Sequence, residues 1–479
     1  MKRIFRVLFC GALAASLILG IGACATARRG ALVQTVDVLI VGAGGAGLAA
    51  AIQAHDEGAR VIILEKMPFA GGNTNRAGGG MNVAESTPQR TLGIQDSKEV
   101  FLQDTFEGGG SIADLDLLRF FVDNGPAAVD WLSAMGMDLS EVVISSGATN
   151  PRMHRPQGGP NSGPYFMAVL MNSIQSRNIQ IMLDTEVTGF ITEEGRVIGV
   201  RYRNARGAQN TMYARATVLA TGGFGANEEL FTRFRPDLAG FVTTNHPGAT
   251  GSGIFMAEAV GAALVGMQYI QTLPAVEPGS TRAVSDAVRG QGAIIVDQRG
   301  QRFIDEMATR DALSSAILAQ PEQFAYLIYD RIIPGIISAL QDFIRLDLSY
   351  EAETVRELAE KINVDPAVLE NTVRNWNGFV ANRNDPDFGR ATGMDRDISN
   401  APFYALRIAP GVHYTMGGVK INTLTQVITT DGSVIEGLFA AGEVTGGIHG
   451  TNRLSGNAIT DIFVFGRQAG TQAAAHALR

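Results

Sequence analysis

The apolar residues of this chain are patterned, and the pattern changes along its length. The first clear element is Val36-Asp37-Val38-Leu39-Ile40-Val41, a β-branched run of the kind buried on both faces of a parallel sheet. It leads directly into Gly42-x-Gly44-x-x-Gly47, and Leu48-Ala49-Ala50-Ala51 then favours a helix. A second short strand, Val61-Ile62-Ile63-Leu64, ends at Glu65. This order of strand, glycine turn, helix and strand predicts a unit that binds a dinucleotide. Gly42 permits the tight turn, Gly44 lets the backbone approach a pyrophosphate, and Gly47 lets helix and strand pack closely. The helix N-terminus, with Gly45 and Ala46, faces the anion. Glu65 stands where a carboxylate would hold a ribose hydroxyl. The alternative is a glycine-rich strand–helix turn with no ligand.

Phe69 to Asn82 is too glycine-rich for a stable helix or strand of its own. It suits a loop whose N–H groups wrap a phosphate or a polar ring edge, the alternative being a flexible surface linker. Residues 97–139 read as helices, with Trp131, Leu132 and Met135 as core. Residues 180–203 alternate as a β-meander, with Glu194-Gly195 as a hairpin turn. Val218-Leu219-Ala220-Thr221-Gly222-Gly223-Phe224-Gly225 is a second apolar strand meeting a glycine turn, which could return the chain to the same ligand. From about residue 268 the character changes. Ile294 to Val296 predicts a strand, Asp297-Gln298-Arg299-Gly300 a turn, and Arg302-Phe303 the returning strand. Residues 353–383 are strongly helical, with Asp365-Pro366 as N-cap and first-turn proline. This reads as an inserted, more helical domain. Glycine turns come back at Gly437–Glu443 and Asn452–Ala458, and a helix follows to the C-terminus. Its start could aim N–H groups at an electron-rich ring carbonyl.

The 479 residues predict two domains, or one large domain with an insertion. With 46% hydrophobic and 18% charged residues, a large core is expected and wholesale disorder is not. A net charge of −8, without clustered basic and aromatic residues, excludes a nucleic-acid-binding class. Residues 1–23 read as an export signal. Lys2, Arg3 and Arg6 precede an apolar run, Val7 to Ile21, that is short for a membrane span. Ile21-Gly22-Ala23-Cys24 resembles a bacterial lipoprotein cleavage site, with Cys24 as the lipidated residue. Plain cleavage and an uncleaved anchor are the alternatives. Residues 24–34 then form a short tether. Only Cys10 and Cys24 occur, so a mature chain would carry no disulfide, no cysteine-based metal site and no Cys-x-x-Cys-His haem attachment.

Several motifs together carry a resemblance. They are Gly42 to Gly47 with Glu65, Gly71-Gly72-Asn73-Thr74-Asn75, Ala220-Thr221-Gly222-Gly223, and Arg302-Phe303 to Arg310-Asp311. His413-Tyr414-Thr415-Met416-Gly417-Gly418, Ala441-Gly442-Glu443 and Asn452-Arg453-Leu454 complete the set. The chain resembles, over roughly residues 35–479, the flavoprotein of the fumarate reductase and succinate dehydrogenase family. The resemblance is to its soluble flavocytochrome-type fumarate reductases and their urocanate and methacrylate relatives. It implies an α/β fold: a Rossmann-like FAD-binding domain in two parts, 35–267 and 413–479, with an inserted α+β capping domain, 268–412, closing over the flavin as a lid. FAD contacts are implied for Gly42, Gly44, Gly45, Ala46, Gly47 and Glu65, and for Asn73, Thr74, Gly79 and Gly80. Further contacts are implied for Val187, Ala220, Thr221, Gly222 and Ser252, and for His413, Glu443, Ala458 and Ile459. Asn73-Thr74 replaces the histidine that links flavin covalently in the membrane-complex branch, so FAD is expected to be non-covalent.

The family reduces a C=C bond conjugated to a carboxylate. Hydride from reduced flavin N5 reaches one carbon, and the neighbouring carbon becomes carbanion-like. Such a site needs cations at the carboxylate and a proton donor across the alkene. By resemblance, Arg453 and His413 grip the carboxylate, the planar guanidinium matching two oxygens. Arg310 matches the family's proton donor, and Asp286 and Arg289 match its relay. Asp286 is one methylene shorter than the family's Glu, which predicts a longer relay or a bridging water. The structural alternatives are a surface ion pair for Arg453, a satisfied core histidine for His413, and a buried ion pair of Arg310 with Asp311 or Glu306.

Leu273-Pro274-Ala275 stands where the family's fumarate enzymes have His-Pro-Thr. Leu273 cannot donate to a second carboxylate, and burying one against it is costly. Ser285 still offers a hydroxyl where the family has Thr. The expected substrate therefore has one carboxylate and a less charged far end. Ser252 stands where relatives often have Asp. With no haem motif, electrons are expected from a separate protein, a cytochrome or an FMN carrier. A lipid anchor in the cell envelope, periplasmic or extracytoplasmic, would be the only membrane contact, and no metal is expected. The competing readings are a fumarate reductase proper, a steroid-type flavin dehydrogenase and a flavin-binding electron carrier. The dehydrogenase would use tyrosine donors and no carboxylate clamp, and the carrier would need no proton relay.

Overall fold

The computed structural model describes residues 35–158 and 161–479; the expected signal segment, the tether and Cys24 lie outside the described residues. Among the described residues no helix is long and apolar enough to cross a membrane. The predicted unit forms as β1 (Thr35–Val41), α1 (Gly45–Asp56) and β2 (Val61–Leu64). β1 is buried from Val36 onward because it lies inside a largely parallel sheet covered on both faces. The order across that sheet is Gln426–Ile428, Val434–Ala440, Gln209–Leu219, β1, β2 and Gln180–Met182.

The central parallel strands end level with one another. Val41 pairs with Leu64 on one side and Leu219 on the other, and Leu219 pairs with Ala440. The segments beginning at Gly42, Glu65, Ala220 and Ala441 therefore leave the sheet along one edge. In open α/β sheets this carboxyl edge is where ligands bind. Behind it, α1 packs on the C-terminal helix Asn457–Ala477 through small residues. A Cβ on Gly466 would stand 2.8 Å from the Ala46 carbonyl oxygen, and one on Gly470 2.4 Å from that of Ala50. The helices touch backbone to backbone, and Ala49, Ala50, Ala469 and Ala473 are completely buried.

The hairpin Glu186–Glu193 and Arg196–Arg203 forms as predicted, with positive φ at both Glu194 (49°) and Gly195 (81°). Gln180–Met182 leaves the meander and pairs in parallel with β2. Some local expectations fail. The Phe69–Asn82 stretch is not all loop, since Gly72–Arg76 forms a 3₁₀ turn and Met81–Asn82 pairs with Met153–His154. Arg302-Phe303 does not return as a strand; Ile294–Val296 pairs instead with Ala325–Asp330. Arg302 is drawn into a buried ion network, 2.7 Å from Glu306 and 2.9 Å from Asp385. The core expectation for the helix holds: Leu132 is fully buried, and Trp131 and Met135, half-buried, pack against the same core. Trp131 lies between the Phe463 ring and the Arg467 guanidinium.

The apolar core divides into clusters. The largest draws on residues 36–270 and 412–477, and two more draw on residues 275–408. The latter cover a six-stranded antiparallel sheet. The strand Phe403–Thr415 connects them: its first half pairs with Ala325–Asp330 and its last half with the strand Ile270–Glu277.

Candidate active site

The level strand ends open into a cleft of the kind expected at the carboxyl edge of a parallel sheet. Gly42, Gly44, Gly45 and Ala46 line it, with Glu65, Asn73, Thr74 and Val187. Ala220, Thr221, Gly222, Ser252 and Glu443 line the same space, so most of the expected cofactor contacts share one cleft. Two glycines are required by close approach. Gly42 has φ 105°, and a Cβ there would stand 2.4 Å from the Ala220 carbonyl oxygen. A Cβ on Gly47 would stand 2.0 Å from the Gly42 carbonyl oxygen, so any side chain would push α1 off β1.

Side chains then fix the walls. Glu65 accepts the backbone N–H groups of Ala43 and Met67, both at 2.8 Å. Thr74 Oγ1 accepts the Gly45 N–H at 3.0 Å, and the Asn73 amide donates to Glu443 at 3.0 Å. Burial pushes the Glu443 carboxyl above its ordinary value, against the bonds from Asn73 and Thr415.

Gly47, Gly79, Gly80, Ala458 and Ile459 do not line this cleft. Gly80 serves packing, since a Cβ there would stand 2.0 Å from the His154 carbonyl oxygen, and Gly79 lies against Met153. Ala458 and Ile459 form the first turn of the C-terminal helix. The sequence reading missed Lys66, Glu186 and His246, all in the lining. His246 is informative. Its Nδ1 accepts the Gly248 N–H at 3.1 Å, so the ring proton of the neutral form is on Nε2. That atom is buried without a partner among the described residues. Burial, with Arg76 and Lys66 nearby, lowers its pKa and keeps it neutral. A turn sequence such as Asn245-His246-Pro247 carries no signal for this. A glycine cradle that side chains would fill and an orphaned donor in its wall fit a dinucleotide such as FAD.

The other expected residues meet in a second cluster. Arg310 begins the helix Arg310–Leu318 and donates to Asp286 from Nε at 3.0 Å and from Nη2 at 2.8 Å. It also donates to Gln271 Oε1 and to Ser455 Oγ, both at 3.2 Å. Arg453 donates to the same Gln271 oxygen at 2.9 Å. Gln271 cannot turn away, because its Nε2 donates to Asn452 Oδ1 and to the Arg453 carbonyl, each at 2.7 Å. The Arg453 guanidinium lies 4.5 Å over the Tyr414 ring, and its Nε is buried without a partner among the described residues. Burial, and then the Arg310 charge, lowers its pKa to about 10.

Arg289 closes the chain, donating to the other Asp286 oxygen at 2.7 Å. Arg310, Asp286 and Arg289 therefore touch directly, and the expected lengthening or bridging water is not needed. Asp286 stands at the head of the short helix Ala287–Gly290, one turn before Arg289, which makes up for its shorter side chain. Burial alone would raise the Asp286 carboxyl, but the Arg310 and Arg289 charges outweigh it and hold the group below the usual carboxylate range. The alternative partners of Arg310 are otherwise occupied: Glu306 binds Arg302 and Arg390, and Asp311 is exposed. The same network braces Arg289, whose Nε donates to the Glu306 carbonyl at 2.8 Å while its own carbonyl accepts from Arg390 at 2.5 Å.

His413 lies outside the cleft lining and sits at a β-bulge. Gln271 pairs with Tyr414 and Thr272 with Val412, which leaves His413 as the extra residue. Its Nδ1 lies 2.6 Å from Thr244 Oγ1. Burial, then the charges of Arg310 and Arg453, pushes its pKa well below the ordinary histidine value. Leu273 is buried on the same strand face as Gln271, two residues on. Ser285 Oγ accepts the Ala287 N–H at 3.3 Å beside Asp286. Two guanidiniums thus share the Asp286 carboxylate while the third, Arg453, meets only neutral oxygens among the described residues, and the excess positive charge suits an anionic ligand. No group of His, Cys, Asp or Glu side chains among the described residues is arranged to hold a metal.

A family model described as an FAD binding domain matches residues 37–459. The chain is 48% identical over 444 residues to the NADH:fumarate oxidoreductase of Klebsiella pneumoniae (strain 342). That match covers 93% of the chain and 48% of the relative, so the chain spans about half that protein's length. It is 42% identical over 442 residues to the fumarate reductase (cytochrome) of Shewanella frigidimarina, covering 92% of the chain and 77% of the relative. A solved open conformation of a flavocytochrome c3 fumarate reductase is similar with a TM-score of 0.78 at 40% identity, over 93% of this chain and 79% of that one.

Proposed function

The chain belongs to the FAD-binding domain family, and from that premise we propose that it is an FAD-dependent oxidoreductase that reduces a C=C bond conjugated to a carboxylate. The convergence of Arg310 and Arg453 on the one oxygen of Gln271, beside the Asp286 and Arg289 chain, carries this reading. FAD, held without a covalent bond by the cleft residues, supplies the hydride when bound. The side chains do the rest. Arg453 and His413 hold the carboxylate and draw negative charge toward it as the bond is reduced. Arg310 donates a proton to the carbon that becomes basic. An arginine keeps its proton against ordinary bases, but a developing carbanion is far more basic than those. Asp286, ionised between two guanidiniums, then passes a proton from Arg289 back to Arg310, and Arg289 regains its own from solvent.

Leu273 narrows the substrate. A second carboxylate against this buried apolar side chain would lose its water without gaining a donor, so the preferred substrate carries a single carboxylate. The names of the Klebsiella and Shewanella relatives favour a second reading, fumarate itself. Electrons come from a separate cytochrome or FMN carrier. Residues 1–23 direct export, and Cys24 anchors the chain at the envelope.

The test is anaerobic turnover of FAD-loaded protein with a reduced viologen dye. Fumarate is compared with acrylate, methacrylate, cinnamates and urocanate. A monocarboxylate is expected to exceed fumarate in kcat/KM, and Arg310→Ala to lower kcat about 10²–10⁴-fold with FAD content unchanged. Fumarate as the best substrate would favour the second reading, and turnover of none would overturn both.

A further inference from the structure

We propose that Thr244 is a positioning residue that fixes the tautomer of His413, and thereby its capacity to hold a carboxylate. The proposal rests on the reading that His413 meets the substrate carboxylate. A neutral imidazole carries one N–H, so the ring meets an anion either with a donor or with a lone pair. Two features of the backbone bring Thr244 to the ring. The bulge takes His413 out of the ladder with Ile270–Glu277, and Thr243 bridges to Val412 on the other edge of the strand. The resulting Thr244 Oγ1 to His413 Nδ1 distance is 2.6 Å. His413 Nε2 has no hydrogen-bond partner among the described residues.

The direction of this bond follows from the competition for the hydroxyl proton. The other acceptor in reach is the Val412 carbonyl, 3.3 Å from Thr244 Oγ1. That oxygen already accepts the Thr244 N–H at 3.0 Å, and the Asn245 amide lies 3.3 Å from it. The shorter and less contested bond runs from the Thr244 hydroxyl to Nδ1. The imidazole proton then sits on Nε2, and a carboxylate arriving there meets a donor. Without the hydroxyl, the proton is free to move to Nδ1, which turns a lone pair toward the anion. The next residue, Asn245, donates to the His413 carbonyl at 3.2 Å and accepts from Asn73 at 2.7 Å. One short segment thus contacts both the carboxylate clamp and the cofactor cleft, so FAD binding is measured alongside.

The experiment uses the full chain loaded with FAD and three variants, Thr244→Val, Thr244→Ser and His413→Ala. KM and kcat are measured with the best substrate, and succinate and propionate are titrated by the perturbation of the oxidised flavin spectrum. Thr244→Val is expected to raise KM and the product Kd about tenfold, with kcat changed less than about threefold and FAD content intact. Thr244→Ser restores both constants. Wild-type constants in Thr244→Val, beside weakened binding in His413→Ala, would overturn the role of Thr244. Unchanged binding in His413→Ala would instead overturn the clamp reading. Independently of how the variants fold, ¹⁵N-histidine labelling of the wild type, with its 6 histidines, should show His413 protonated on Nε2; an Nδ1-protonated ring would refute the proposal.

Discussion

The cofactor cleft and the arginine cluster are made of opposite materials. The cleft is mostly backbone: level strand ends, the turn at Gly42 and the first turn of α1, with few charged groups in its wall. The cluster is mostly long side chains, Arg310, Asp286, Arg289, Arg453 and Gln271, nearly all of their polar atoms paired and buried. A backbone site is specified by what residues lack, here a Cβ, and it fails when bulk is added. A side-chain site is specified by partners and fails when a charge or a donor is removed. The two regions should therefore respond to different substitutions.

The largest effect is expected at Gly47. A Cβ there meets the Gly42 carbonyl oxygen at 2.0 Å, so Gly47→Val should abolish FAD binding, read as flavin absorbance per purified chain. Normal loading would break the comparison, because the cleft would then tolerate bulk. A smaller effect is expected at Leu273. Leu273→His adds a donor without adding bulk to the cleft. It should shift the ratio of kcat/KM for fumarate over a monocarboxylate about 10–100-fold toward fumarate, the worth of one hydrogen bond to a charged group. An unchanged ratio would mean that another group meets the far end of the substrate.

The smallest effect concerns pH. The folded-state pKa of Asp286 lies below the ordinary value of 3.8. The stability it contributes is therefore complete above the unfolded value and is lost as pH falls through the lower folded value. In denaturant titrations wild type should exceed Asp286→Asn by a constant margin at neutral and mildly acidic pH. The margin should shrink only below about pH 4. Shrinkage already between about pH 7 and pH 5 would mean that Asp286 is not held ionised by its two arginines.

The two regions also differed in how far the sequence disclosed them. Gly42, Gly44 and Gly47 could be read in place, because the requirement for glycine arises within a few residues of each. Glu194-Gly195 was legible for the same reason, a turn that demands positive φ. Gln271 was not legible. It is an ordinary strand residue until folding brings it to Arg453, 182 positions away. Thr244 and His246 gave no signal either, since one acts through a histidine 169 positions on and the other through a cleft that exists only after folding. Arg302-Phe303 was misread as a strand because apolar and β-favouring residues followed a turn, while the pairing of Arg302 with Asp385 is 83 positions long.

The amino-acid sequence alone specified the dinucleotide turn, the parallel strands around it and the capped helices, because those depend on local sterics and on the period of burial. It also supplied the ionisable residues of the cluster through resemblance to a family. Folding had to establish that Asp286 reaches both arginines directly, that one glutamine oxygen lies between Arg310 and Arg453, and that a bulge turns His413 toward Thr244. These depend on distances between segments far apart in the chain, where a shift of one residue in register would separate every partner.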